Sequence, residues 1–205
     1  MLNWLKARSR RKHLAERLYE GIVAHSRLPA FYARCGVSDT MNGRLEMILV
    51  VVVLVLTRLK AEGPEGQRVG QLLMERLVVD LDDAFRQIGI GDDGIARRVP
   101  QVSGALKDRV ADYGPWFSPA PASGDNNPRI NGLAGALLEH VYRADKAGSG
   151  PGVAEDARRL AEHLLACSCA LHGLPAGQLH SGELALPTAL QKLACSGDGR
   201  SGEKA

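Results

Sequence analysis

Apolar residues at Leu14, Leu18, Ile22 and Val23 recur at helical spacing, which predicts an amphipathic helix from Arg11 to Ser26. Leu28-Pro29 ends it, because proline disfavours helical geometry in the residue before it. Phe31, Tyr32 and Cys35 then read as a short connection closing at Gly36. A second helix, capped by Ser38 or Asp39, is expected to run to about Ala61 through the most apolar stretch, Met47 to Leu56. Its valines also suit a strand, but the pattern is far longer than the roughly six residues of a typical strand. A helix apolar on nearly every side must be enclosed by others, so this one is expected at the centre.

Gly63-Pro64 is read as the close of that helix. Leu72, Leu73, Leu77, Leu81 and Phe85 mark a third helical face ending at Gly89, a favourable C-terminal residue. A fourth helix is expected from about Asp93 to Tyr113, bent or interrupted at Pro100. Residues 114–128 read as a loop. Helical spacing returns at Leu133, Leu137, Leu138 and Val141, and again from Ala154 to Leu171. No long alternating pattern occurs, so the fold class is all-α, a single-domain bundle of about six helices. The organisation expected is a basic arm over 1–13, a helical domain over 14–194 and a flexible tail over 195–205.

Charge and composition then narrow the function. The apolar stretch is about half the roughly 20 residues that a membrane span needs, and Arg44, Glu46, Arg58 and Lys60 flank it. Aromatic residues make up only 4% of the chain, too few for a base-stacking groove, and no DNA contact is expected. The net charge of +3 is unevenly placed: Lys6, Arg8, Arg10, Arg11 and Lys12 precede the first acidic residue, Glu16. With Trp4 beside them, these residues suit contact with an anionic membrane surface or with RNA. A mitochondrial presequence is the rival reading of this arm, which is short for one. The four cysteines, Cys35, Cys167, Cys169 and Cys195, are read as reduced thiols in a cytoplasmic compartment.

Candidate chemistry is sparse. His163 and Cys167, and Cys169 and His172, could share helix faces, as zinc half-sites do. Both pairs fall in one element and Cys167 and Cys169 diverge, so core cysteines beside surface histidines are the preferred reading. Gly89, Gly91 and Gly94 lack the preceding strand and the GK[ST] ending of a phosphate loop. No nucleophile elbow or triad spacing occurs. No catalytic residue, metal or cofactor is therefore expected. What remains is a charged cluster, Asp80, Asp82, Asp83, Arg86, Asp92 and Asp93, in which Asp82 and Arg86 can pair across one helical turn.

Two blocks carry a resemblance. RLYEGIVAHSRLPAFYARCGVSDTMNGRLEMILV (17–50) resembles the opening block of the ubiquinol–cytochrome c chaperones, with its Leu-Tyr start, Pro-x-Phe-Tyr element and Val-x-Asp-Thr turn. VDLDDAFRQIGIGDDGIARRV (79–99) is similar to their second block, a D-x-D helix running into Arg and a Gly-x-Gly-Asp turn; LLEHVYRA and LHSGELALP resemble later features. Departures are Gln87, where the family commonly has an acid, valines where it often has a histidine, and Pro100.

The resemblance implies a non-enzymatic assembly chaperone for respiratory complex III. It would bind immature cytochrome b or another complex III subunit, with a small helper protein, near the membrane surface or ribosome. It would work at the cytoplasmic face of a bacterial inner membrane, or at the matrix face in a eukaryote. It also implies a partner surface built from Pro29, Phe31, Tyr32, Asp39 and Arg44, with Asp80, Asp82, Asp83, Arg86 and Asp92. The competing readings are a membrane- or RNA-associated adaptor with another client, and a small metal-dependent enzyme.

Overall fold

The computed structural model describes residues 2–119, 126–143, 152–175, 179 and 181–190. Among the described residues there are seven α-helices: α1 (Leu2–Ser26), α2 (Pro29–Arg34), α3 (Met41–Ala61), α4 (Gly63–Gln87), α5 (Asp92–Phe117), α6 (Asn127–Leu137) and α7 (Val153–Gly173). A π-helical turn, Leu138–Tyr142, continues α6. No strand occurs among the described residues, and the fold is an all-α bundle. None of these helices is long and apolar enough to cross a membrane.

The apolar stretch folds as expected into α3. The cap, however, is Thr40, whose hydroxyl accepts from the Gly43 amide at 3.1 Å. Asp39 is instead taken by Arg44, whose Nε donates to it at 2.6 Å. Met47, Leu49 and every residue from Val50 to Val55 are fully buried, because α1, α4, α5, α7 and the π turn all pack on this helix. Each such valine or leucine, fully enclosed, contributes about 1.5–3 kcal/mol of burial.

Two charged residues of α3 are buried as well, and each is paired. Glu46 accepts a fork of bonds from Arg109 of α5, at 3.1 and 2.6 Å. Arg58 pairs with Glu62 and donates to the carbonyls of Leu171 (2.9 Å) and Leu174 (3.2 Å), satisfying the C-terminal end of α7.

Several boundaries differ from the sequence reading. The first helix starts at Leu2, so the basic arm and the amphipathic segment form one continuous helix. The Pro29 segment is helical, with proline in the first turn where its missing amide costs nothing. Gly63-Pro64 does close α3, as expected, but α4 opens on the same two residues with no connection between. The two helices meet at Gly66, where a Cβ would lie 2.0 Å from the Leu59 carbonyl oxygen. Gly89, at φ +81°, ends α4 as expected. Pro100 does not interrupt α5. Its surroundings, Ala96 to Arg98 and Gln101, are exposed, so water meets the carbonyl that loses its amide partner.

α5 also runs past Tyr113, to Phe117, since both rings are buried and anchor that last turn. Arg129 of α6 then donates to the carbonyls of Trp116 (2.5 Å) and Ser118 (2.9 Å). The rest of the expected loop, 120–125, and the expected tail, 195–205, lie outside the described residues. The segment 181–186 lies along α1: a Cβ on Gly21 would stand 2.8 Å from that of Leu184.

Candidate functional site

The valines and leucines of α4 and α5 do not all reach the core. Leu73, Leu77 and Leu81 form the inward stripe of α4, while Met74 and Val79 stand beside it, 40% and 53% exposed. On α5, Val102, Leu106 and Val110 recur every fourth residue along one face, and Val110 is 43% exposed. Between these faces lies an open groove of about 780 Å³ whose floor is aliphatic. Glu75 of α4 and Lys107 of α5 stand among its lining residues. Such a surface can bind an apolar helical segment through burial alone. Sequence reasoning missed it; the fourfold spacing of Val102, Leu106 and Val110 is the signal that could have found it.

The residues expected at the partner surface divide into three groups. Pro29, Tyr32, Asp39 and Arg44 come together with Arg27 and Ala33 around a surface pocket of about 500 Å³. There the hydrogen bond from Arg44 holds the Asp39 carboxyl below its ordinary range, and Asp39 in turn raises Arg44. Tyr32 donates to the Ser26 carbonyl at 2.9 Å, and burial pushes its phenol up. Phe31 is not at this surface: it is fully buried.

The acidic end of α4 forms a separate group that turns inward on its own chain. Asp80 accepts from the Tyr19 hydroxyl at 2.8 Å and pairs with Arg76, tying α4 to α1. Burial first, and Asp80 second, raises the Tyr19 phenol. Arg86 donates to Asp82 (2.9 Å) and to Asp92 (2.6 Å), clamping the turn between α4 and α5. Asp83 stays exposed beside Lys12 and Glu16 of α1.

In the basic arm, Arg11 is bound bidentately by Glu65 and Lys12 lies 3.9 Å from Glu16. Lys6, Arg8 and Arg10 are exposed on the same helix. The Trp4 side chain lies outside the described residues.

Of the residues considered for metal, Cys169 is exposed and His172 lies against the Ser168 carbonyl at 2.9 Å. His163 and Cys167 do share a face. Contrary to the reading of surface histidines, His163 is fully buried, and His25 joins it from α1. Cys195 lies outside the described residues.

Against known proteins, the profile of the family described as ubiquinol–cytochrome C chaperone matches residues 33–186. The crystal structure of the Cbp3 homolog from Brucella abortus is similar, with TM-score 0.72 and 28% identity, over 91% of this chain and 97% of that one. No curated protein matches the chain. With an all-helical bundle of the same shape and a profile spanning three quarters of its residues, the chain belongs to the ubiquinol–cytochrome c chaperone family.

Proposed function

We propose that this protein is a non-enzymatic assembly chaperone of complex III that holds an apolar helical segment of immature cytochrome b in the α4–α5 groove. The groove carries this reading. Its floor is aliphatic, it lies on the outside of the bundle, and it is long in the direction of two helices. A membrane subunit awaiting its cofactors and partners exposes segments of that chemistry. Binding to the apolar face of such a segment and release once it packs elsewhere need no catalytic group, only differential affinity for the immature form.

The family membership and the Cbp3 homolog support the assembly role. The groove supports the mode of contact. The pocket at Pro29, Tyr32, Asp39 and Arg44 is a second polar surface, suited to a helper protein by its charged rim. Lys6, Arg8 and Arg10 of α1 offer cations to a membrane surface or ribosome, which fits work at the cytoplasmic face of the inner membrane.

The test is recovery of partners by tagged protein from detergent-solubilised membranes. The parent is expected to retain cytochrome b, and Met74→Asp/Val110→Asp to lose most of it while unfolding at the same temperature. An Asp82→Ala/Arg86→Ala variant is expected to retain it, because those groups are engaged with one another. Loss in the second variant alone would move the contact to the charged end of α4; recovery of no complex III subunit by the parent would sink the proposal.

A further inference from the structure

The buried group His25, His163 and Cys167 has no part in the groove or in the polar pocket. His163 and Cys167 lie one turn apart on α7, and the last turn of α1 brings His25 against them. The two imidazole planes are stacked within 11° at 5.6 Å. The Cys167 sulfur stands 3.5 Å from His163 Nε2 and 3.8 Å from His25 Nε2. One donor atom from each of the three residues falls within 4.8 Å of the others. Phe31 packs on both rings, at 5.5 and 5.3 Å, and roofs the cluster against water.

A weak thiol–imidazole contact inside a core would account for one such approach. Convergence of three donors goes further. With metal–nitrogen and metal–sulfur bonds of about 2.05 and 2.3 Å, sulfur and nitrogen ligands are separated by about 3.6 Å at tetrahedral angles and about 3.8 Å at trigonal ones. The two observed separations, 3.5 and 3.8 Å, lie within about 0.1 Å of these values. We propose that His25, His163 and Cys167 form a binding site for a thiophilic d10 cation, Cu⁺ in preference to Zn²⁺.

Charge balance sets that preference. Burial is the first cause of the shift at each of the three groups, so the charge of the bound ion and its ligands is felt at full strength. A thiolate with Cu⁺ and two neutral imidazoles is neutral overall, whereas Zn²⁺ would leave a net positive charge in the core, which is costly. Soft thiolate with imidazole is also a donor set that suits Cu⁺. Burial already keeps both imidazoles unprotonated near neutral pH, with pKa values of about 4. On binding, the Cys167 S–H bond breaks, the sulfur–metal bond forms and the proton leaves to solvent, with no change of oxidation state.

The test uses the full chain carrying Cys169→Ser/Cys195→Ser, so that these two thiols do not compete. Cu⁺, under anaerobic conditions, and Zn²⁺ are titrated against a chromophoric chelator, and X-ray absorption identifies the ligands of the bound ion. One equivalent of Cu⁺ is expected, with mixed nitrogen and sulfur ligands. Cys167→Val, which preserves core volume, is expected to weaken it by more than about 100-fold, beyond the loss of a mere outer-shell partner. His25→Phe is expected to weaken it too, with the apo fold of both variants checked by circular dichroism. Unchanged affinity in folded Cys167→Val, no stoichiometric binding of either ion, or a bound ion without sulfur ligation would overturn the site. Tighter Zn²⁺ binding would overturn the preference drawn from charge.

Discussion

α3 and the α4–α5 groove are built from the same aliphatic residues and meet opposite fates. From Val50 to Val55 no side chain of α3 sees solvent, because helices surround it. Val79 and Val110 in the groove are about half exposed, because among the described residues no third helix covers the gap between α4 and α5. Apolar character alone therefore does not separate core from contact surface. The number of neighbouring elements does, and only the tertiary arrangement supplies it.

That contrast can be broken most forcefully in α3. Leu54→Ala is expected to cost about 2–5 kcal/mol, read from the urea midpoint. Serine at both Met74 and Val110 is expected to change stability by less than about 0.5 kcal/mol, since exposed positions rarely exceed this. Comparable losses from both would mean that the groove is closed in solution.

The buried ion pair between these regions gives the next effect. Arg109→Met leaves Glu46 buried without its partner, at a cost of about 3 kcal/mol, while Glu46→Leu/Arg109→Met is expected to recover most of it. No recovery in the double variant would show that the pair supplies net stability beyond compensating its own burial.

A smaller and pH-dependent effect sharpens the same distinction between enclosed and open. Burial, with His163 as a lesser cause, lowers His25 to about 4, and burial alone lowers His163 to about 4. Between an ordinary pKa of about 6.5 and that value, the unfolded chain takes up protons that the folded one does not. Stability of the metal-free protein is therefore flat above neutrality and falls as pH drops from about 6.5 towards 4, by about 2 kcal/mol or more per histidine. Urea midpoints measured across that window would show it, and His163→Phe should remove about half of the slope.

Much of the architecture was readable in the sequence. The all-α class, the course of α3 and the end of α4 at Gly89 follow from local pattern and from residues with narrow conformational roles. The errors share one cause. Pro100 reads as an interruption until its carbonyl partner is known to face water, and the segment from Gly114 reads as loop until Tyr113 and Phe117 are seen anchoring it in the core. Among site residues, Pro29, Tyr32, Asp39 and Arg44 meet at one pocket, as neighbours in sequence readily do. Phe31 is on the opposite side of α2 and in the core. The Asp82–Arg86 pair follows from their spacing, whereas the ties of Asp80 to Tyr19 on α1 and of Arg86 to Asp92 on α5 are ones that a charge pattern cannot specify. His25 and Cys167 are 142 residues apart, and no local signal joins them.

The ties that close this bundle also set its timetable. Arg58 finds the Leu171 carbonyl 113 residues along, and the Tyr142 hydroxyl finds the Cys35 carbonyl across 107. Early helices emerging from a ribosome can pair locally, but the end of α3 and the connection after α2 must wait for segments made much later. Such long loops slow closure. For a time, the first half of the chain stands with an open flank, waiting for the segments that will close it.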